Sequence, residues 1–137
     1  MNWTLEVVVV PVADVPRAVA FYADRLGWSL DHHTPLPDGR AMAQLTPPGS
    51  GCSIVVSDGL TEMPPGSLRG LQLVVNDLRA AHAELLERGV ETGDIVVYGR
   101  TGQRPSDLGD DLNNVGFLHF TDPDGNAWAV QQITDRP

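Results

Sequence analysis

His119, Gln72 and Gln131 are the side chains best placed for chemistry, each a polar group in a run of otherwise apolar, strand-forming residues. An imidazole, with a reference pKa of about 6.5, is the natural proton carrier at neutral pH, so His119 is the candidate general base. A primary amide offers an acceptor oxygen and two donor hydrogens, which suits Gln72 and Gln131 to orienting a small ligand. His32 and His33 are neighbours in one strand candidate, so a regular strand aims them at opposite faces and cannot give both to one metal; His33 is taken as the one at the rim of a ligand site. The lone Cys52, between Gly51 and Ser53, has no partner for an internal disulfide and reads as a small buried hydrophobe. Asp122 and Asp124 sit in Asp122-Pro123-Asp124-Gly125-Asn126, where Asp and Asn side chains bond nearby main-chain N–H groups, so they read as shaping a turn.

These residues need elements to hold them. Residues 5–12 are β-branched and apolar enough for a strand, and Pro11 near its end marks an edge or a bulge. Asp14 is a helix N-cap, Pro16 fits the first turn, and Val15, Ala18, Val19, Tyr22 and Leu26 form one apolar stripe, predicting a helix over 15–26 that stops at Gly27. Strand candidates follow at 28–33, 40–46 and 52–57, divided by Pro- and Gly-rich turns. After the linker Met63-Pro64-Pro65-Gly66-Ser67 the pattern restarts, and Val7 to Asp14 recurs as Gly70 to Asp77 at an offset of 63 residues. Leu78, Ala81, Leu85 and Leu86 give the second helix its apolar face, and strands are expected at 94–98, 115–121 and 127–133. The stretch 99–114 reads as a long acidic loop of the kind that often covers a ligand. The chain is therefore expected to be α+β, one domain of two βαβββ repeats, repeat one at about 5–60, linker about 61–68 and repeat two about 69–135. Each repeat has one helix for two sheet faces, so curved mixed sheets with helices outside are expected to enclose a ligand cleft.

Alternation along each strand assigns the residues that face this cleft. In repeat two they are Gly70, Gln72 and Val74, then Phe117 and His119, then Ala129 and Gln131. In repeat one they are Val7 and Val9, with Gln44 and His33 as further polar contributors. The expected site is an apolar floor with amides set into it, the usual form of a small-ligand pocket.

Composition narrows what such a pocket serves. A chain of 137 residues, 42% of them hydrophobic, builds a core. A formal charge of −9 with nine scattered cationic residues argues against nucleic acid and admits a neutral or cationic small molecule. No apolar run is long enough to span a membrane and the N-terminus has no signal-like pattern, so a cytoplasmic location is expected.

Val12-Ala13-Asp14-Val15-Pro16-Arg17-Ala18-Val19-Ala20-Phe21-Tyr22, Leu26-Gly27-Trp28 and Phe120-Thr121-Asp122-Pro123-Asp124-Gly125-Asn126 resemble the vicinal oxygen chelate superfamily, the glyoxalase, bleomycin-resistance and extradiol-dioxygenase group. The resemblance implies a homodimer, and an activity that ranges from lyase, isomerase or dioxygenase chemistry to sequestering an antibiotic, as resistance proteins do. It also implies metal positions: a His seven residues before each helix-capping Asp and a Glu three residues after the Asn of the last turn. Here these positions are Val7, Gly70 and Ala129, none of which ligates a metal. A slip of one residue substitutes Glu6 for Val7, but Glu6 lies on the opposite face. The expectation is a small-molecule binding protein with no cofactor. The alternative is an enzyme using His119 acid–base chemistry, or a divalent metal at an atypical site of His33, Gln44, Gln72 and His119.

Overall fold

The computed structural model describes residues 1–135. They form two compact units: Met1–Leu68 with Asp122–Asn126, and Arg69–Thr121 with the chain from Ala127 onward.

In the first unit, β1 (Val7–Pro11) leads through the Asp14 cap into α1 (Val15–Val19), which widens into a π-helical segment over Ala20–Arg25. The Asp14 carboxylate accepts from Arg17 N at 3.1 Å, meeting one of the donors a helix start leaves unpaired. Three strands follow, β2 (Ser29–Pro35), β3 (Ala41–Thr46) and β4 (Ser53–Ser57), and the sheet runs β1-β4-β3-β2. β1 is parallel to β4 and the other pairings are antiparallel. Pro11 has no N–H for a ladder, and its strand lies at the sheet edge. Val10, Val15, Ala18, Tyr22, Ala43, Leu45 and Val56 make a core with none of them more than 1% exposed.

The second unit has β5 (Leu71–Val75), α2 (Leu78–Glu87), β6 (Val96–Gly99), β7 (Gly102–Pro105), β8 (Gly116–Thr121) and β9 (Ala127–Gln132), ordered β5-β9-β8-β6-β7. β5 is parallel to β9, repeating the β1–β4 arrangement. Asp77 caps α2 on Ala80 N at 3.0 Å, and the Gln132 amide oxygen takes Leu78 N at 2.9 Å, so a strand residue secures the helix start. Leu118, Phe120, Trp128 and Val130 lie buried, with Phe120 and Trp128 stacked 6.1 Å apart.

The α+β architecture of two related halves is present. Repeat two differs from its expected βαβββ form, because a fourth strand after the helix, β7, lies inside the stretch read as irregular. Gly102-Gln103-Arg104-Pro105 has no apolar alternation to announce a strand; it is held by a hairpin ladder to β6. The rest of that stretch is tied down by charge. Arg104 makes a bidentate pair with Asp110 at 2.8 and 2.9 Å, and Arg79 reaches the carbonyls of Asp107 and Asp110 at 3.1 and 3.2 Å. The Arg104 hydrogen bond, with a further bond from Asp107 N, holds the Asp110 carboxyl far below the usual carboxylate range.

The Asp122–Asn126 turn joins β8 to β9 yet belongs to the first unit. Asp122 Oδ1 accepts from the N–H groups of Asp124, Gly125 and Asn126, all at 3.0 Å, while Oδ2 accepts from Tyr22 OH and Asn126 Nδ2 at 2.8 Å. Asn126 Nδ2 also reaches Pro11 O, which takes Gly66 N as well. Asp124 Oδ1 accepts from Arg17 Nη2 at 2.8 Å and Ala13 N at 3.1 Å. A tight turn that satisfies itself thus also binds the end of β1, the start of α1 and the linker. No helix among the described residues is long and apolar enough to cross a membrane.

Candidate functional site

Ladder pairing sorts the second unit's side chains by face. α2 packs on β8 and β9, over the face that carries Leu118 and Val130. On the other face Gln72 pairs with Ala129, and Ala129 with His119, so the amide and the imidazole flank an alanine. One step along, Val74 pairs with Gln131, and Gln131 with Phe117. Gln72, Val74 and His119 are exposed, while Phe117, Ala129 and Gln131 are half-buried.

At one end of this face lies a cavity of about 600 Å³, within the range of small-ligand sites. Gly70, Gln72, His119 and Ala129 line it, together with Leu71, Phe120, Thr121, Ala127 and Trp128 and a wall from Glu91, Thr92 and Gly93. That wall is pinned to the strand: Gly93 N and the Thr92 hydroxyl both donate to His119 O, at 3.0 and 3.2 Å. Glu91, Thr92 and Gly93 carry no pattern in the sequence that assigns them to a site, since their place depends on how the chain returns after α2. Tyr98 also lies on this face. It meets Phe117 edge to face at 5.0 Å, and the alternation of β6, with Val96 opposite Phe117, is the signal that places it.

Gln72 Nε2 donates to Gln131 Oε1 at 2.6 Å and Gln131 Nε2 to Asn114 O at 2.9 Å, so the two glutamines form one chain of amides. His119 is placed on the same face, but no hydrogen bond to its imidazole is made among the described residues, so no second group orients it as a base.

Val7, Val9 and Gln44 lie in the first unit. Val9 pairs with Val55 and Gln44 with the same Val55, so the three residues share a sheet face, with Val7 two residues along from Val9. His33 pairs with Ala43, on the face of Val56 and Val10 where α1 packs, whereas His32 pairs with Gln44. A bulge between Leu30 and His32 shifts the register of β2, which simple counting along the strand does not reveal. The histidine beside Gln44 is therefore His32 in place of the expected His33.

Val7, Gly70 and Ala129, at the metal positions implied by the resemblance, carry no side-chain nitrogen or oxygen. Among the described residues no three His, Cys, Asp or Glu side chains converge as metal ligands.

The chain matches the family described as glyoxalase/bleomycin resistance protein/dioxygenase superfamily over residues 4–130. It is 32% identical to TnmS3, an antibiotic binding protein from Streptomyces sp. CB03234, over 96% of this chain and 97% of that one, with a TM-score of 0.74. A glyoxalase/bleomycin resistance protein from the same organism is 34% identical over 94% of this chain and 100% of its own, with a TM-score of 0.70. A superfamily member from Sphaerobacter thermophilus DSM 20745, 23% identical over 96% of this chain and 98% of its own with a TM-score of 0.71, shares the fold. No curated protein matches the chain.

Proposed function

The chain belongs to the glyoxalase/bleomycin resistance protein/dioxygenase superfamily, and within it we propose a small-molecule binding protein that holds its ligand without the family's metal and sequesters a drug or natural product. One observation carries this reading. Gly70 and Ala129, where the resemblance puts a metal-binding His and Glu, line the same cavity as Gln72 and His119 and contribute only hydrogen and methyl to it. The space that metal ligands would fill is left to the ligand, with an amide and an imidazole beside it to fix orientation. TnmS3, similar along nearly its whole length, is an antibiotic binding protein, which supports binding over turnover. An acidic chain of formal charge −9 favours neutral or cationic ligands over anions.

The enzyme reading rests on His119 as a general base or on an atypical metal site, and among the described residues no hydrogen bond orients the His119 imidazole. Homodimerisation accompanies the proposal through the resemblance and is checked by size-exclusion chromatography with light scattering.

The test is a thermal-shift screen of antibiotics, natural products and metabolites. A ligand at about 100 times its dissociation constant stabilises the fold by about 2.7 kcal/mol. Hits should bind equally well after exhaustive chelation and should be weakened by Gln72→Ala. Ligand binding abolished by chelator and restored by a divalent ion would overturn the metal-free reading, and a screen without any hit would remove the support for binding.

A further inference from the structure

The polarity of the glutamine chain is set by the main chain. Asn114 O can only accept, so the group of Gln131 that meets it at 2.9 Å is Nε2. Gln131 Oε1 is then turned toward Gln72, and that oxygen demands a donor, which Gln72 Nε2 supplies at 2.6 Å. Turning the Gln72 amide over would set oxygen against oxygen, so its Oε1 is held away from the chain. The origin of the chain is itself fixed: Asn114 stands at φ 67, a left-handed conformation that Asn tolerates, and its N–H donates to Gln132 O at 2.8 Å. Gln72 lines the cavity beside Ala129.

We infer that Gln72 Oε1 is a fixed acceptor that selects a hydroxyl or N–H group on the ligand and rejects a carbonyl or ether oxygen at the same place; this rests on the reading of the face as a ligand site. A free glutamine serves either partner by flipping its amide. A locked one discriminates, because an acceptor facing an acceptor leaves both without a bond, a loss worth about tenfold in affinity. Gln131 thereby acts as a positioning residue without touching the ligand.

Two measurements on the full chain separate this inference from the reading beneath it. The first needs no ligand. In nitrogen-15 NMR the side-chain NH₂ groups of Gln72 and Gln131 should exchange slowly with water, and in Gln131→Met the Gln72 group should exchange freely. Fast exchange of both in the wild type overturns the locked orientation. The second titrates 2-naphthol and 2-methoxynaphthalene, planar probes in which a methyl group replaces the one donor hydrogen. The wild type should prefer the naphthol about tenfold, and Gln131→Met should narrow the preference to within about twofold. Equal affinity in the wild type, or binding of neither probe, overturns the inference. The ligand-site reading survives that result if compounds from the thermal screen still bind and are weakened by Gln72→Ala. It falls too if neither probes nor screened compounds move the Gln72 signals.

Discussion

Gly66→Ala tests whether the Asp122–Asn126 turn is the clasp of the first unit. Gly66 stands at φ 79, where an L-residue crowds its own carbonyl at a cost of about 1–2 kcal/mol. Space is the larger problem. A Cβ on Gly66 would lie 2.7 Å from Asp124 C and far inside van der Waals contact with Asp124 O, main-chain atoms that cannot swing away. Relief requires the turn or the linker to move. Gly66 N donates to Pro11 O, and the turn at Asp124 is tied to Asp122 Oδ1, so either movement strains hydrogen bonds worth about 1 kcal/mol each. The sum is about 3–5 kcal/mol, or a fall in Tm of roughly 10–20 °C for a domain of this size. Two controls isolate the terms. Gly70 has φ 89 with nothing within 4 Å of an added Cβ, so Gly70→Ala carries only the backbone cost, while Gly51→Ala has open space and ordinary backbone and should be near neutral. Urea denaturation of the three variants under one condition supplies the comparison. If Gly66→Ala falls within about 1 kcal/mol of Gly70→Ala, close approach to the turn contributes nothing and the clasp is wrong.

Tyr22→Phe removes the hydroxyl that donates to Asp122 Oδ2 at a fully buried site, and should cost about 1–3 kcal/mol in urea denaturation while leaving the slope with denaturant unchanged. Asp110 has a folded-state pKa lowered chiefly by Arg104, so its contribution to stability is present above the unfolded carboxylate value of about 3.9 and is lost as pH falls through the folded one. Asp110→Asn should therefore flatten the decline of the urea midpoint below about pH 4, and because Arg104 is exposed, added salt should shrink the difference between variant and wild type. An unchanged acid limb in the variant would remove Asp110 from the account.

The elements legible in the sequence are those whose signal is local. Asp14 and Asp77 cap their helices where the periodic stripes begin, and Trp128 and Val130 alternate with Ala129 and Gln131 as one buried face demands. β7 escaped because Gly102-Gln103-Arg104-Pro105 earns no side-chain burial and exists through its ladder to β6. His32, and not His33, pairs with Gln44 because a bulge shifts the register of β2, which the sequence does not announce. The wall at Glu91, Thr92 and Gly93 depends on bonds to His119 O made across 26 and 27 residues of chain, which no local pattern encodes. The turn shows the same division from the other side. Its Asp-Pro-Asp-Gly-Asn composition predicts self-bonding correctly, but its bonds to Tyr22 and Pro11 are made at separations of 100 and 115 residues. A motif that reads as a local turn therefore holds its place by distant partners, and this is why substitution of its contacts, Gly66 or Tyr22, tests that attachment.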